Sequence, residues 1–126
     1  MNVINSLLEE KTASLFSALG NPFRVRILLE IGEGEACVCH LESALKKRQA
    51  YISQHLMALR EAGLLETRRD GKYIYYRLSR PDFLDLIHNA SRLAGFDHAQ
   101  VSKIETSTHV EICDCPICRA RITSTK

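Results

Sequence analysis

Cysteine is absent from residues 1–36 and from residues 40–112 of this 126-residue chain. All five thiols therefore fall in two short clusters, ACVC at 36–39 and CDCPIC at 113–118. The first 30 residues carry Glu9, Glu10, Lys11 and Arg24 in an amphipathic pattern, which is neither an export signal nor a membrane span. Charge of one sign is not in excess either. A net charge of +2 does not by itself demand a nucleic-acid partner, so any such reading rests on local clustering. No βαβ pattern surrounds the C-x-x-C of the second cluster, and no Cys–His–Asp set stands at a nucleophile's spacing. Both observations count against an enzyme using an activated cysteine, such as a reductase or thiol transferase, which stays open as a second class of function. There is no internal repeat.

What remains is ordinary globular composition, 45% hydrophobic and 25% charged, at a length that suits one domain with a modest core. Leu7, Leu8, Leu15, Phe16 and Leu19 recur with helical spacing, which predicts a first helix over 3–19, stopped by Gly20. Asn21-Pro22 supplies a cap and a first-turn proline for a second helix, rich in Phe23, Val25, Ile27, Leu28 and Leu29. A short helix over 38–46 and a longer one over 49–62 follow. On the longer one Ile52, Leu56 and Leu59 lie at i, i+4 and i+7 and face inward. Residues 64–79 alternate with period two, and Asp70-Gly71 is the expected turn pair of a hairpin. Pro81-Asp82 opens a last helix with Phe83, Leu86, Ile87, Ala90, Leu93 and Ala94 as its stripe. The organisation expected is a mainly α domain with a β-hairpin wing over 1–95. A weakly structured, cysteine-bearing tail occupies 96–126.

Two short helices and then a basic hairpin make a winged helix-turn-helix. A helix held by its inner face can enter the major groove, where base edges carry a readable code. Gln49, Ser53 and Gln54 suit that reading, with Arg48 and Arg60 for phosphates. Arg68, Arg69 and Lys72 are expected at the hairpin tip, against the DNA backbone. His55, between Ile52 and Leu59, is carried as a DNA contact with core packing as its alternative. Solvated polar faces are the plain alternative for the whole set.

The segments NPFRVRILL at 21–29, ACVCHL at 36–41 and ISQHLMALREAGLLETRRDGKYIYYRL at 52–78 resemble the ArsR/SmtB family of bacterial repressors. The resemblance runs from about residue 12 to 93. It implies a homodimer built by the first and last helices, double-stranded operator DNA as partner, and release when a metal or metalloid binds. Two-fold symmetry then implies a palindromic operator.

With no export signal and an odd thiol count, the cysteines are expected to act as thiolates in the cytoplasm rather than as structural disulfides. Cys37 and Cys39 open the helix over 38–46, where the helix dipole and unpaired N–H groups lower a thiol pKa. Two thiolates are too few for zinc, cadmium or lead, or for the trivalent arsenic and antimony that take three sulfurs. Many arsenic-responsive relatives have a third cysteine where this chain has Glu42, and cadmium- or lead-responsive ones draw on cysteines near the N-terminus, of which there are none here. Cys113, Cys115 and Cys118 are then the expected remaining ligands. About 18 residues after Gly95, at roughly 3.3 Å each, give them reach in cis or in trans. The family's second metal site, on its last helix, is poorly matched: Asp85, His88 and His98 do not keep its spacing. His40 is expected at the surface, with a ligand role as its alternative, although its place in the family is usually acidic. Inert buried thiols, a separate structural zinc in the tail, and redox or persulfide sensing by the same fold stay open as alternatives.

Overall fold

The computed structural model describes residues 3–101; everything below concerns those residues. The arrangement is built on α2 (Pro22–Ile31), whose Ile27, Leu28, Leu29 and Ile31 are all buried. Asn21 starts it as expected, its side-chain oxygen accepting from the backbone N–H of Phe23 at 2.9 Å and of Arg24 at 3.2 Å. α2 stops at Gly32, where φ is +57°. Packed around it are α1 (Val3–Leu19), α3 (Val38–Leu45), α4 (Gln49–Glu61), α5 (Asp82–Leu93) and a small sheet.

α3 and α4 form the expected helix-turn-helix. Their corner is made at Lys46, which takes a left-handed conformation with φ +54° and returns its N–H to Glu42 O at 2.8 Å. On α4, Ile52, Leu56 and Leu59 are completely buried, as their spacing required. The hairpin strands are β2 (Leu65–Asp70) and β3 (Tyr73–Leu78), paired from Leu65↔Leu78 to Asp70↔Tyr73. That register moves the turn one residue from its expected place. Gly71 and Lys72 are the two loop residues, and Gly71 takes φ +61°, the conformation a glycine-first hairpin turn needs.

Two further features were not legible in the chain. A third strand, β1 (Ala36–Cys37), pairs antiparallel with β3, giving the order β1-β3-β2. It is two residues long, too short to show any alternation. The chain also stays ordered past Gly95, against the expectation of an irregular tail from 97. Asp97 and Gln100 bond reciprocally to each other's backbone N–H at 2.8 and 2.9 Å, opening a helical turn over 98–101, and Val101 is buried in the core.

The two outer helices are less well covered. Leu15, Leu19 and Ala18 of α1 and Leu84 and Ile87 of α5 pack inward. Val3, Ile4, Leu7, Leu8 and Phe16 of α1 and Leu93 of α5 are exposed. An apolar groove of about 350 Å³ runs between α1, α2 and α5, lined by Phe16, Leu19, Val25, Leu86, Ile87 and Ala90 among others.

Because Asn21 satisfies two N–H groups at the start of the central helix, Asn21→Ala should destabilise the fold by about 1 kcal/mol in chemical denaturation, with an unchanged denaturant slope.

Candidate functional site

The outer surface of α4 presents Arg48, Gln49, Gln54 and Arg60 to solvent, and Ser53 half-exposed beside them. The inner face is anchored by Ile52, Leu56 and Leu59, so these side chains are held on a helix that cannot roll. Tyr51 shares this surface at 43% exposure, and the Lys47 ammonium lies 5.9 Å from its ring centre. Neither residue was singled out from the sequence, although positions 51 and 55 stand at the i, i+4 spacing of a helix face, with Lys47 just before the helix.

His55 is placed differently from its five companions. Its ring sits 5.2 Å from that of Phe23 and 4.8 Å from that of Tyr51, and its Nδ1 accepts from Arg24 Nε at 3.1 Å. Arg24 also donates to the Ala18 carbonyl at 3.3 Å. His55 therefore fastens α4 to α2, which was the packing alternative. Partial burial, and secondly the Arg24 guanidinium, hold its pKa below the ordinary histidine value.

The wing divides its three cations. Arg69 pairs with Ile74 in the register next to the turn, and Lys72 is in the turn itself; both are exposed. Arg68 is one rung further back, exposed, and paired within the chain. Its Nε and one terminal nitrogen donate to the two Glu35 carboxylate oxygens at 2.9 and 3.1 Å, and its guanidinium lies 4.7 Å from the Tyr75 ring centre. The hydrogen bond with Arg68 lowers the Glu35 pKa and raises that of Arg68. Arg68 is thus two register pairs back from the turn, and in this arrangement its guanidinium is paired with Glu35.

The thiol pair stands where two elements meet. Cys37 ends β1 opposite Tyr75 and is also the N-cap of α3, its Sγ accepting from the His40 backbone N–H at 3.4 Å. Cys39 Sγ lies 2.8 Å from Cys37 Sγ, so both sulfurs converge on one point; Cys37 is buried and Cys39 half-buried. Among the described residues no third cysteine, histidine or carboxylate joins them to make a metal-sized cluster. The pair fits two positions of a soft ion's shell and leaves the others to be supplied. Cys113, Cys115 and Cys118 lie outside the described residues. His40 corrects the expectation of a surface residue. It is buried, and its Nε2 is 3.0 Å from Glu30 Oε1, with Arg26 a further 3.9 Å from the other Glu30 oxygen. A buried imidazole and a buried carboxylate satisfy each other, which ties α3 to α2. His88 of α5 and His98 of the turn over 98–101 come within 5.6 Å ring to ring, without forming a three-ligand cluster in the described residues.

The sequence model of the bacterial regulatory protein arsR family matches residues 21–67, from the cap of α2 into the wing. A transcriptional repressor SmtB homolog from Synechocystis is 33% identical over 93 residues, covering 74% of this chain and 67% of that protein. The chain belongs to the ArsR family. An arsenic resistance transcriptional regulator of Pseudomonas putida is 51% identical over 65 residues, 51% of this chain; the match spans about half that relative's length, 51%. Among solved structures, a homodimeric winged helix-turn-helix domain from Mycobacterium bovis superposes with a TM-score of 0.69 at 30% identity, over 75% of this chain and 87% of that one. ArsR-family membership sets the chain among regulatory proteins rather than enzymes. No helix among the described residues is long and apolar enough to cross a membrane.

In an NMR titration, His55 should show a midpoint below 6.5. Arg24→Ala should move that midpoint upward without restoring the ordinary value, because burial, the larger cause, remains. The sign for stability follows. The unfolded chain binds the His55 proton more readily, so this residue's contribution is present above the unfolded pKa and declines as pH falls through it.

Proposed function

We propose that the chain is a metal(loid)-responsive transcriptional repressor of the cytoplasm. It binds double-stranded operator DNA as a homodimer and is released when a thiophilic ion engages cysteine thiolates. The ion belongs to the class of arsenite or antimonite, cadmium, lead or zinc. The observation that carries this reading is the thiol pair. Cys37 and Cys39 converge at the first turn of α3, the helix on which α4 is mounted, in a member of the ArsR family. Relatives named as arsenic resistance regulators and SmtB repressors support an inorganic effector in general.

The DNA half of the proposal assigns α4 to the major groove. Gln49, Ser53 and Gln54 face base edges, with Arg48 and Arg60 against phosphates. Arg69 and Lys72 bring the wing to the backbone of the neighbouring groove. The apolar stripes left open on α1 and α5 support a second copy as their cover, in keeping with the homodimeric neighbour. A two-fold dimer would set its α4 helices about one DNA turn apart, roughly 34 Å.

For the effector half, Cys37 and Cys39 supply two sulfurs, and Cys113, Cys115 and Cys118 supply the rest from the same or the partner chain. A bound ion would contribute Lewis acidity and keep the sulfurs deprotonated. Cys37 and Cys39 then change their mutual geometry, and α3 adjusts with them. Only the difference in ion affinity between the DNA-bound and free forms matters. A thousandfold difference corresponds to about 4 kcal/mol.

In an operator shift assay, Cys37→Ser/Cys39→Ser should stay on DNA at arsenite, cadmium or lead concentrations that release the unsubstituted protein. Full release of the double variant would remove this pair as the sensor. In the full-length chain, Cys113→Ser/Cys115→Ser/Cys118→Ser should weaken ion binding by at least about tenfold, read from ultraviolet sulfur-to-metal absorption; unchanged affinity would exclude those cysteines as ligands. On the wing, Arg69→Ala/Lys72→Ala should weaken binding to all sequences alike and reduce the slope of log affinity against log salt by about 2. A loss confined to one base position would contradict the assignment.

A further inference from the structure

The sheet brings Cys37 and the wing together in a way that the helix-turn-helix alone does not. Cys37 pairs with Tyr75 on β3, and Tyr75 pairs with Arg68 on β2. Register partners share a face of a sheet, so Cys37, Tyr75 and Arg68 lie in one row across all three strands. Glu35, two residues before Cys37, closes this row. Its carboxylate reaches across β3 to Arg68, in a two-point fork that lies beside the Tyr75 ring. Tyr75 is fully buried and so gives that fork a rigid floor. β1 contributes only two paired residues, Ala36↔Tyr76 and Cys37↔Tyr75. The Glu35–Arg68 fork carries the residue that leads into β1 past β3 to the outer strand of the wing.

We infer that the Glu35–Arg68 pair is a positioning strap through which the state of Cys37 and Cys39 reaches the wing, making the wing a second output of the thiol site beside α4. The inference rests on the thiol-sensor reading proposed above and specifies how that site is wired. When the two thiols change geometry, β1 moves with Cys37. The strap obliges β2, and with it Arg69 and the Lys72 turn, to follow. Arg68 acts here as a link within the protein, while Arg69 and Lys72 remain the cations open to phosphate. A two-point fork suits this role because it fixes orientation as well as distance, which a single charge contact does not.

The test compares operator affinity with and without cadmium or arsenite for the unsubstituted protein, Glu35→Gln, and the exchanged pair Glu35→Arg/Arg68→Glu. Sulfur-to-cadmium absorption is read on the same samples. Glu35→Gln keeps the shape of the side chain and removes the charged fork. It should bind cadmium with the same stoichiometry and within about twofold of the same affinity, yet its ratio of ion-free to ion-bound operator affinity should fall at least about tenfold. Hydrogen exchange at wing amides, which cadmium should alter in the unsubstituted protein, should no longer respond. The exchanged pair should recover at least part of the ratio, which a purely structural role for Glu35 would not predict. The ratio is read rather than the affinity because removing a carboxylate near DNA changes affinity by itself. Equal release of Glu35→Gln and the unsubstituted protein overturns the strap and leaves the sensor reading standing. No release of the unsubstituted protein by cadmium, arsenite, antimonite, lead or zinc overturns both.

Discussion

Cys37 has to satisfy two neighbours at once. Its backbone closes β1 against Tyr75 of the wing, and its sulfur caps α3 by accepting the His40 N–H. A residue that is both strand end and helix cap cannot be displaced on one side alone. Much of the architecture follows from that junction: α3 carries the corner at Lys46 from which α4 departs, and β3 carries the hairpin. Helix α4 and the wing are therefore two arms from one pivot, and the pivot is a thiol. Cys39 beside it turns the pivot into a pair of soft donors.

Around the pivot, the positions of the helices are set by buried contacts in three directions. Leu41 of α3 and Ile52, Leu56 and Leu59 of α4 close on α2 with no residual exposure. His40 and Glu30 hold α3 to α2 by a polar contact inside that apolar layer, and Arg24 and His55 hold α4 to α2 at its margin. The buried His40–Glu30 pair specifies one packing, because a shift leaves both partners without their bond at a cost of about 1–3 kcal/mol each. α1 and α5 lack such fastening on their outer sides, where leucines and a phenylalanine face solvent. The contrast is between a helix fixed on all its inner contacts and two helices that leave apolar side chains exposed.

Charge is distributed with comparable selectivity. The net charge is small, and the cations that matter are those not already answered within the chain. Arg68 is held by Glu35, Arg77 by Glu66 at 3.1 Å, and Arg24 by His55 and a carbonyl. Arg48, Arg60, Arg69 and Lys72 are exposed along α4 and the end of the wing. Local clustering, not total charge, is what makes this one face suitable for a polyanion.

The helix-turn-helix, the hairpin and the helix boundaries were determined by the sequence itself, since periodicity, a capping Asn21 and a glycine-bearing turn are relations between residues a few positions apart. Convergence of Cys37 and Cys39 was legible for the same reason. The errors share another cause. A one-residue slip at Gly71-Lys72, the two-residue β1 and the ordered turn over 98–101 depend on pairing or burial that local pattern does not encode. His40 against Glu30, His55 against Arg24 and Arg68 against Glu35 join residues 10, 31 and 33 positions apart. Which polar side chain is engaged by another part of the chain was decided only when the helices packed, because a charged group takes whichever partner the fold brings within reach.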